Sequence, residues 1–203
     1  MIRVGDERTP PERSARHSGV HRRPGDVGSR NFFPLGRHVA HVRRLTAQEW
    51  PRYRDLRLRA LADAPDAFGS TLARERDRTD SDWQLRLSAG ASSAAELPLV
   101  LVDGAEFVGL AWGRIDGATP DVAHVFQMWV APEGRGQGGG RSLLDTLISW
   151  ARETGAAFVE LDVTCGDTAA RRLYERAGFR PVGVPRPLRP GSALMARRMR
   201  RVL

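Results

Sequence analysis

Five of the seven residues in Gly134-Arg-Gly-Gln-Gly-Gly-Gly140 are glycines, set between an apolar run that ends at Val130 and an amphipathic run that begins at Arg141. Ordering glycine costs more chain entropy than ordering any other residue. A cluster of glycines at an ordered junction therefore implies a backbone that must turn sharply or lie close against a ligand. Successive free N–H groups in such a turn, together with the positive end of the following helix, form a cradle for phosphate or pyrophosphate. The junction reads as strand, anion-binding loop and helix.

The flanking segments supply a mixed α/β pattern. Residues 41–45 read as a short strand, and Thr46-Ala-Gln-Glu49 as a capping box that opens a helix. Trp50, Tyr53, Leu56 and Ala60/Leu61 keep helical spacing until Asp63-Ala-Pro65, where the residue before proline avoids helical geometry. Thr79 and Asp82 repeat the capping pattern ahead of a second helix through residues 83–87. Apolar runs at 98–102 and 106–114, joined at Asp103-Gly104, form an antiparallel hairpin, and residues 122–130 form the strand that enters the glycine loop. Beyond the loop, Leu143, Leu144, Leu147, Ile148 and Ala151 make one helical stripe that stops at Gly155. Residues 158–164 read as a strand and 167–177 as a helix capped by Asp167 and closed by Gly178. Residues 192–203 complete the sheet, and 185–190 form a stiff basic loop.

Composition narrows the chemistry. Cys165 is the only cysteine, so a disulfide framework or a multi-cysteine zinc site is excluded; no metal centre is expected, and the chain suits a reducing cytoplasm. That thiol is expected to be buried at a strand end. No run approaches the roughly eighteen apolar residues of a membrane-spanning helix. The net charge of +8 is unevenly placed: residues 1–44 hold ten arginines against four acids, and residues 45–203 hold 22 against 20. All 32 basic residues are arginine, which weakens any argument from arginine count and leaves nucleic acid unexpected as a partner. Residues 1–40, rich in Arg, Pro, Gly and Ser, show no period and no apolar secretory segment. They are expected to lack fixed structure, leaving 41–203 as the folded domain.

Three kinds of anion loop compete. A nucleoside triphosphate loop ends in Gly-Lys-Ser/Thr, and this chain has no lysine. Gly134, Gly136 and Gly139 satisfy a dinucleotide fingerprint, with Glu160 or Asp162 placed for a ribose, but only 63 residues follow Gly140, too few for the rest of a doubly wound domain. The third kind fits best. Val130-Ala-Pro-Glu-Gly-Arg135-Gly-Gln-Gly138-Gly-Gly140-Arg-Ser-Leu-Leu144 resembles the coenzyme-A-binding motif Q/R-x-x-G-x-G/A of the GNAT superfamily of acetyl-CoA-dependent N-acetyltransferases, with Arg135, Gly138 and Gly140 in its places. Asp167-Thr-Ala-Ala-Arg-Arg-Leu-Tyr174-Glu-Arg-Ala-Gly178-Phe179 is similar to a second signature of that family, departing only at Asp167, where the family usually has Asn.

The resemblance implies the acyl-CoA N-acyltransferase fold. This is a mostly antiparallel sheet of about six or seven strands, with the fourth and fifth splayed apart, flanked by about four helices. It implies acetyl-CoA as co-substrate. Backbone at Met128, Trp129 and Val130 would meet the pantetheine arm by strand addition and supply an N–H to the developing oxyanion. Arg135, Gly136, Gln137, Gly138, Gly139, Gly140 and Arg141 would meet the pyrophosphate, with Asp167 a secondary contact. It also implies that Tyr174 serves the leaving thiolate, although the residue shares a helical stripe with Ala170, Leu173 and Ala177. His124 is the candidate general base, with Asp116, Asp121 and Asp162 in reserve. The acceptor would be a small-molecule or peptide amine, and a homodimer stays open. Two other classes remain: a degenerate, non-catalytic coenzyme-A-binding or nucleic-acid-associated regulator that uses the arginine-rich tail, and a nicotinamide-dinucleotide enzyme.

Overall fold

A computed structural model describes residues 40–203; the basic stretch expected over 1–40 lies outside the described residues but for its last one. Seven strands form one sheet in the order β1-β2-β3-β4-β5-β7-β6. They are β1 (His41–Arg44), β2 (Glu96–Asp103), β3 (Glu106–Asp116), β4 (Thr119–Val130), β5 (Phe158–Thr164), β6 (Arg180–Pro187) and β7 (Met195–Val202). Every neighbouring pair is antiparallel except β4 and β5, which run parallel. A dinucleotide domain needs a mostly parallel sheet, so this topology rules out the nicotinamide reading.

Five α-helices accompany the sheet among the described residues: α1 (Trp50–Asp63), α2 (Leu72–Arg76), α3 (Asp80–Ser92), α4 (Gly139–Glu153) and α5 (Ala169–Arg176). The sequence predicts about four. The additional one, α2, is a short helix started by the Thr71 hydroxyl, which accepts the Arg74 N–H at 3.3 Å. The capping boxes form as expected. Glu49 accepts the Thr46 N–H at 2.9 Å, and Asp82 accepts the Thr79 N–H at 2.9 Å while donating its own N–H to the Thr79 hydroxyl at 3.2 Å. Leu143, Leu144, Leu147 and Ile148 of α4 are each at most 2 % exposed, and burial of each stabilises the fold by about 1.5–3 kcal/mol, an upper bound.

Three local expectations change. Residues 180–187 continue as strand β6 instead of giving way to a loop at 185, because β7 lies between β5 and β6 and its outer edge pairs Arg186 with Ala196 and Pro187 with Met195. Thr168, not Asp167, caps α5; its hydroxyl accepts the Arg171 N–H at 3.0 Å, while Asp167 stays exposed and pairs with Arg172 at 2.5 Å. Cys165 is exposed, one residue past the end of β5 at Thr164, although its N–H still bonds the Met195 carbonyl at 2.8 Å.

Candidate active site

The parallel pairing of β4 with β5 extends only from Val122/Phe158 to Val125/Leu161. Past that rung β4 runs on to Val130 and β5 to Thr164 with no ladder between them, which is the expected splay. One device that helps to separate them is a β-bulge. Opposite Leu110 and Trp112 of β3 stand Trp129 and Phe126, so β4 carries one residue more than its partner. Gln127 absorbs it at φ 55, a left-handed conformation uncommon for a residue other than glycine. Its amide oxygen accepts the Tyr53 hydroxyl at 2.9 Å, tying the bulge to α1. Sequence periodicity holds no signal for this bulge.

The glycine loop follows at the end of β4. Gly136 and Gly138 take φ of +77° and +85°, and an added Cβ at either would point into open space. Gly139 differs: its Cβ would stand 2.3 Å from Leu101 Cδ2, so it is glycine to let α4 approach β2. Gly138 sits at the N-cap of α4 and leaves that cap without a side-chain acceptor. Open space over two left-handed glycines, a helix N-terminus without a side-chain cap and an unladdered strand edge are what a phosphate-bearing, strand-like ligand requires, so these residues fit acetyl-CoA.

The side chains beside the loop are already engaged. The Arg135 guanidinium donates to the Val130 carbonyl at 2.9 Å and pairs with Asp63, so it braces the loop against α1. Asp63 also accepts the Trp129 indole N–H at 2.8 Å; that bond, and Arg135 beside it, hold its carboxyl below the ordinary value. Gln137 donates to the Glu133 carbonyl at 3.1 Å, and Arg141 pairs with Asp145 one turn along α4 at 2.7 Å. In this arrangement the side chains of Arg135, Gln137 and Arg141 are all taken up by protein partners.

A cavity of about 1140 Å³ lies against the splay; His124, Met128, Glu160, Asp162 and Tyr174 are among its lining. Tyr174 is 6 % exposed, its ring 6.0 Å from that of Phe179, and its hydroxyl has no hydrogen-bond partner among the described residues. Burial pushes its phenol up to about 12. His124 stands opposite Glu160, with Nδ1 4.0 Å from Oε2. Burial lowers the imidazole pKa, opposed by Glu160 and reinforced by Arg198 and Arg114, so the ring is neutral at pH 7. Glu160, 3 % exposed, is also bound by Arg200 at 2.6 Å and Arg198 at 3.2 Å.

Not all reserve residues join this group. Asp162 lines the cavity and is held by Arg186 and Arg198, and Asp116 lines it while accepting the Ala118 N–H at 3.0 Å. Asp121 is exposed near the start of β4 and is absent from the lining. Asp167 is likewise absent from the lining. Glu160 is not paired with His124 in the sequence reading. Its signal was the phase of β5, where Glu160 and Asp162 alternate with Val159, Leu161 and Val163 and so share one face.

A family model described as "Acetyltransferase (GNAT) family" matches residues 50–179. The mycothiol acetyltransferase of Beutenbergia cavernae is 33% identical over 131 residues, covering 64% of this chain and 40% of that protein. The ribosomal-protein-alanine N-acetyltransferase of Escherichia coli is 37% identical over 70 residues, 34% of this chain and 47% of that one. The chain thus spans about 40% of the length of the first of these relatives. The crystal structure of a GNAT-family acetyltransferase from Streptococcus pneumoniae superposes with a TM-score of 0.70 at 20% identity, covering 81% of this chain and 99% of that one, which shows the fold.

Proposed function

Since this chain belongs to the GNAT family of acetyltransferases, we propose that residues 41–203 transfer an acetyl group from acetyl-CoA directly to a primary amine, with no covalent enzyme intermediate. The observation that carries this reading is the parting of β4 from β5 beside the glycine loop, at a cavity that holds both a neutral imidazole and an unpartnered phenol. Acetyl-CoA supplies the thioester carbon that the amine attacks and the sulfur that leaves.

The protein's own groups supply the rest. Backbone N–H groups of residues 136–141 and the positive end of α4 hold the pyrophosphate; the Arg135 N–H donates instead to the Pro132 carbonyl. Backbone at 128–130, without a ladder on its β5 side, orients the pantetheine arm, and an N–H near Trp129 meets the oxygen on which negative charge grows. His124 accepts the proton the amine must lose, directly or through water; burial keeps it unprotonated and therefore able to do so. Tyr174 keeps its proton at neutral pH, because its phenol is raised to about 12, and donates it to the departing sulfur.

The relatives' names span a small-molecule and a ribosomal-protein acetyltransferase, so the acceptor is proposed only as an amine of one of these two kinds. Among the described residues no helix is long and apolar enough to cross a membrane. The reading is tested by thermal unfolding with acetyl-CoA, with coenzyme A and with a nicotinamide dinucleotide. Both coenzyme A forms raise Tm and the dinucleotide does not, because only a ligand of the folded state stabilises it. No shift with either coenzyme A form refutes the proposal.

A further inference from the structure

Arg57 interrupts the apolar stripe of α1. Its neighbours on the stripe, Tyr53, Leu56, Ala60 and Leu61, are buried as helical spacing requires, and Arg57 is buried with them at 2 % exposure. A guanidinium in such a place ordinarily has a carboxylate partner. Here Nε and Nη1 have no hydrogen-bond partner, and Nη2 has only the Ser70 hydroxyl at 3.3 Å. The nearby acid, Glu75, is already bound by Arg78 at 2.8 Å and Arg86 at 3.3 Å. Two guanidiniums therefore hold that carboxylate, and Arg57 is left with no bond to it. Burial lowers the Arg57 pKa to about 10, which still leaves it charged at neutral pH.

This surplus of charge faces the cavity described above, whose lining includes Arg57, Phe68, Ser70, Arg86, His124 and Tyr174. The guanidinium carbon lies 4.4 Å from the centre of the Phe68 ring. That ring and Ser70, in the short segment between α1 and α2, are its cover on this side. A buried donor without an acceptor is costly, and a ligand that brings an anion beneath the cover removes that cost.

We propose that Arg57 is the anion anchor of the acceptor site, and that the acceptor amine carries a carboxylate which Arg57, assisted by Ser70, receives as the Phe68 cover moves aside. This rests on the acetyltransferase reading and adds to it the class of acceptor: amino acids, or peptides whose carboxylate lies within the reach of the cavity. A neutral amine, or one bearing only hydroxyl groups, would leave the buried donors of Arg57 unpaired and be selected against.

The test compares, in the wild-type protein with coenzyme A bound, glycine, β-alanine, 4-aminobutyrate, aspartate and glutamate with their carboxamides. Thermal shift reports binding, and thiol release from acetyl-CoA reports turnover. At least one acid raises Tm and is turned over with kcat/KM ten-fold or more above its amide. Arg57→Met and Arg57→Lys lose that preference, and acetyl-CoA titration serves as the control for folding. Equal behaviour of acids and amides, or no response to any acid while acetyl-CoA still binds, overturns the anchor and leaves the acetyltransferase reading standing. Failure of acetyl-CoA itself to bind removes both.

Discussion

His124 on β4 and Glu160 on β5 face each other one rung before the two strands part, with the imidazole Nδ1 4.0 Å from a carboxylate oxygen. The rung continues in both directions. Arg114 pairs with His124 from β3, and Arg200 pairs with Glu160 from β7, so a basic, a titratable, an acidic and a basic side chain cross four strands in register. Burial of the imidazole outweighs the attraction of Glu160, which sets the sign of the pH dependence.

A group whose folded pKa is depressed resists protonation in the native state. The contribution of His124 to stability is therefore present above the unfolded value near 6.5 and is lost as pH falls through the folded value below it. Turnover follows the same group: kcat/KM rises with pH to a plateau, with its acidic midpoint below about 6.5. Glu160→Gln removes an attraction that favours the imidazolium and moves that midpoint lower still. His124→Gln erases this limb and lowers kcat by about 100-fold. A pH–rate profile whose midpoint is unchanged in His124→Gln refutes the assignment.

Tyr174→Phe removes one hydroxyl that has no partner among the described residues, so the packing against Phe179 and the Tm stay nearly unchanged. Loss of a proton donor lowers kcat by about 100-fold while KM for acetyl-CoA changes little. Steady-state kinetics alongside calorimetry separates these outcomes. Equal turnover by the two proteins would make Tyr174 a packing residue only.

The glycines of the loop divide by what each backbone must do. Gly139→Ala forces a Cβ to 2.3 Å from Leu101 and destabilises the fold by about 1–3 kcal/mol through overpacking. Gly138→Ala meets no atom but must hold φ near +85°, a strain of about 1–2 kcal/mol, and its methyl points to where phosphate would lie. The expected pattern is a loss of Tm that dominates in Gly139→Ala and a loss of acetyl-CoA affinity that dominates in Gly138→Ala, measured by unfolding and by titration calorimetry.

Arg135 and Asp63 act as one brace between the loop and α1, so Arg135→Ala and Asp63→Asn weaken acetyl-CoA binding to a similar extent. The double variant is expected to be little worse than either single one, since the brace is lost once. Fully additive losses would instead make Arg135 a direct phosphate ligand.

The amino-acid sequence alone determined the parts that depend on near neighbours. The two Thr-led capping boxes, the β2–β3 hairpin (its turn one residue later than expected, at Gly104-Ala105, with Asp103 still paired to Glu106), the stripe of α4 and the glycine loop at its N-terminus are all local, because hydrogen-bond reach and side-chain period are set within a few residues. They sufficed to single out the glycine loop and Tyr174 as the candidate site proposed above. What tertiary structure decided depends on which distant strands become neighbours. The extra residue at Gln127 exists only relative to β3, and the row from Arg114 through His124 and Glu160 to Arg200 only once four strands take their register. Arg135 looked free for phosphate until Asp63, 72 positions earlier in the chain, came within reach of it. Arg57 reads as one more arginine on a helix until packing buries it without an acid of its own. Periodicity reports which face of an element is inward, but not what another element will present to that face, and the chemistry of this site lies in those encounters.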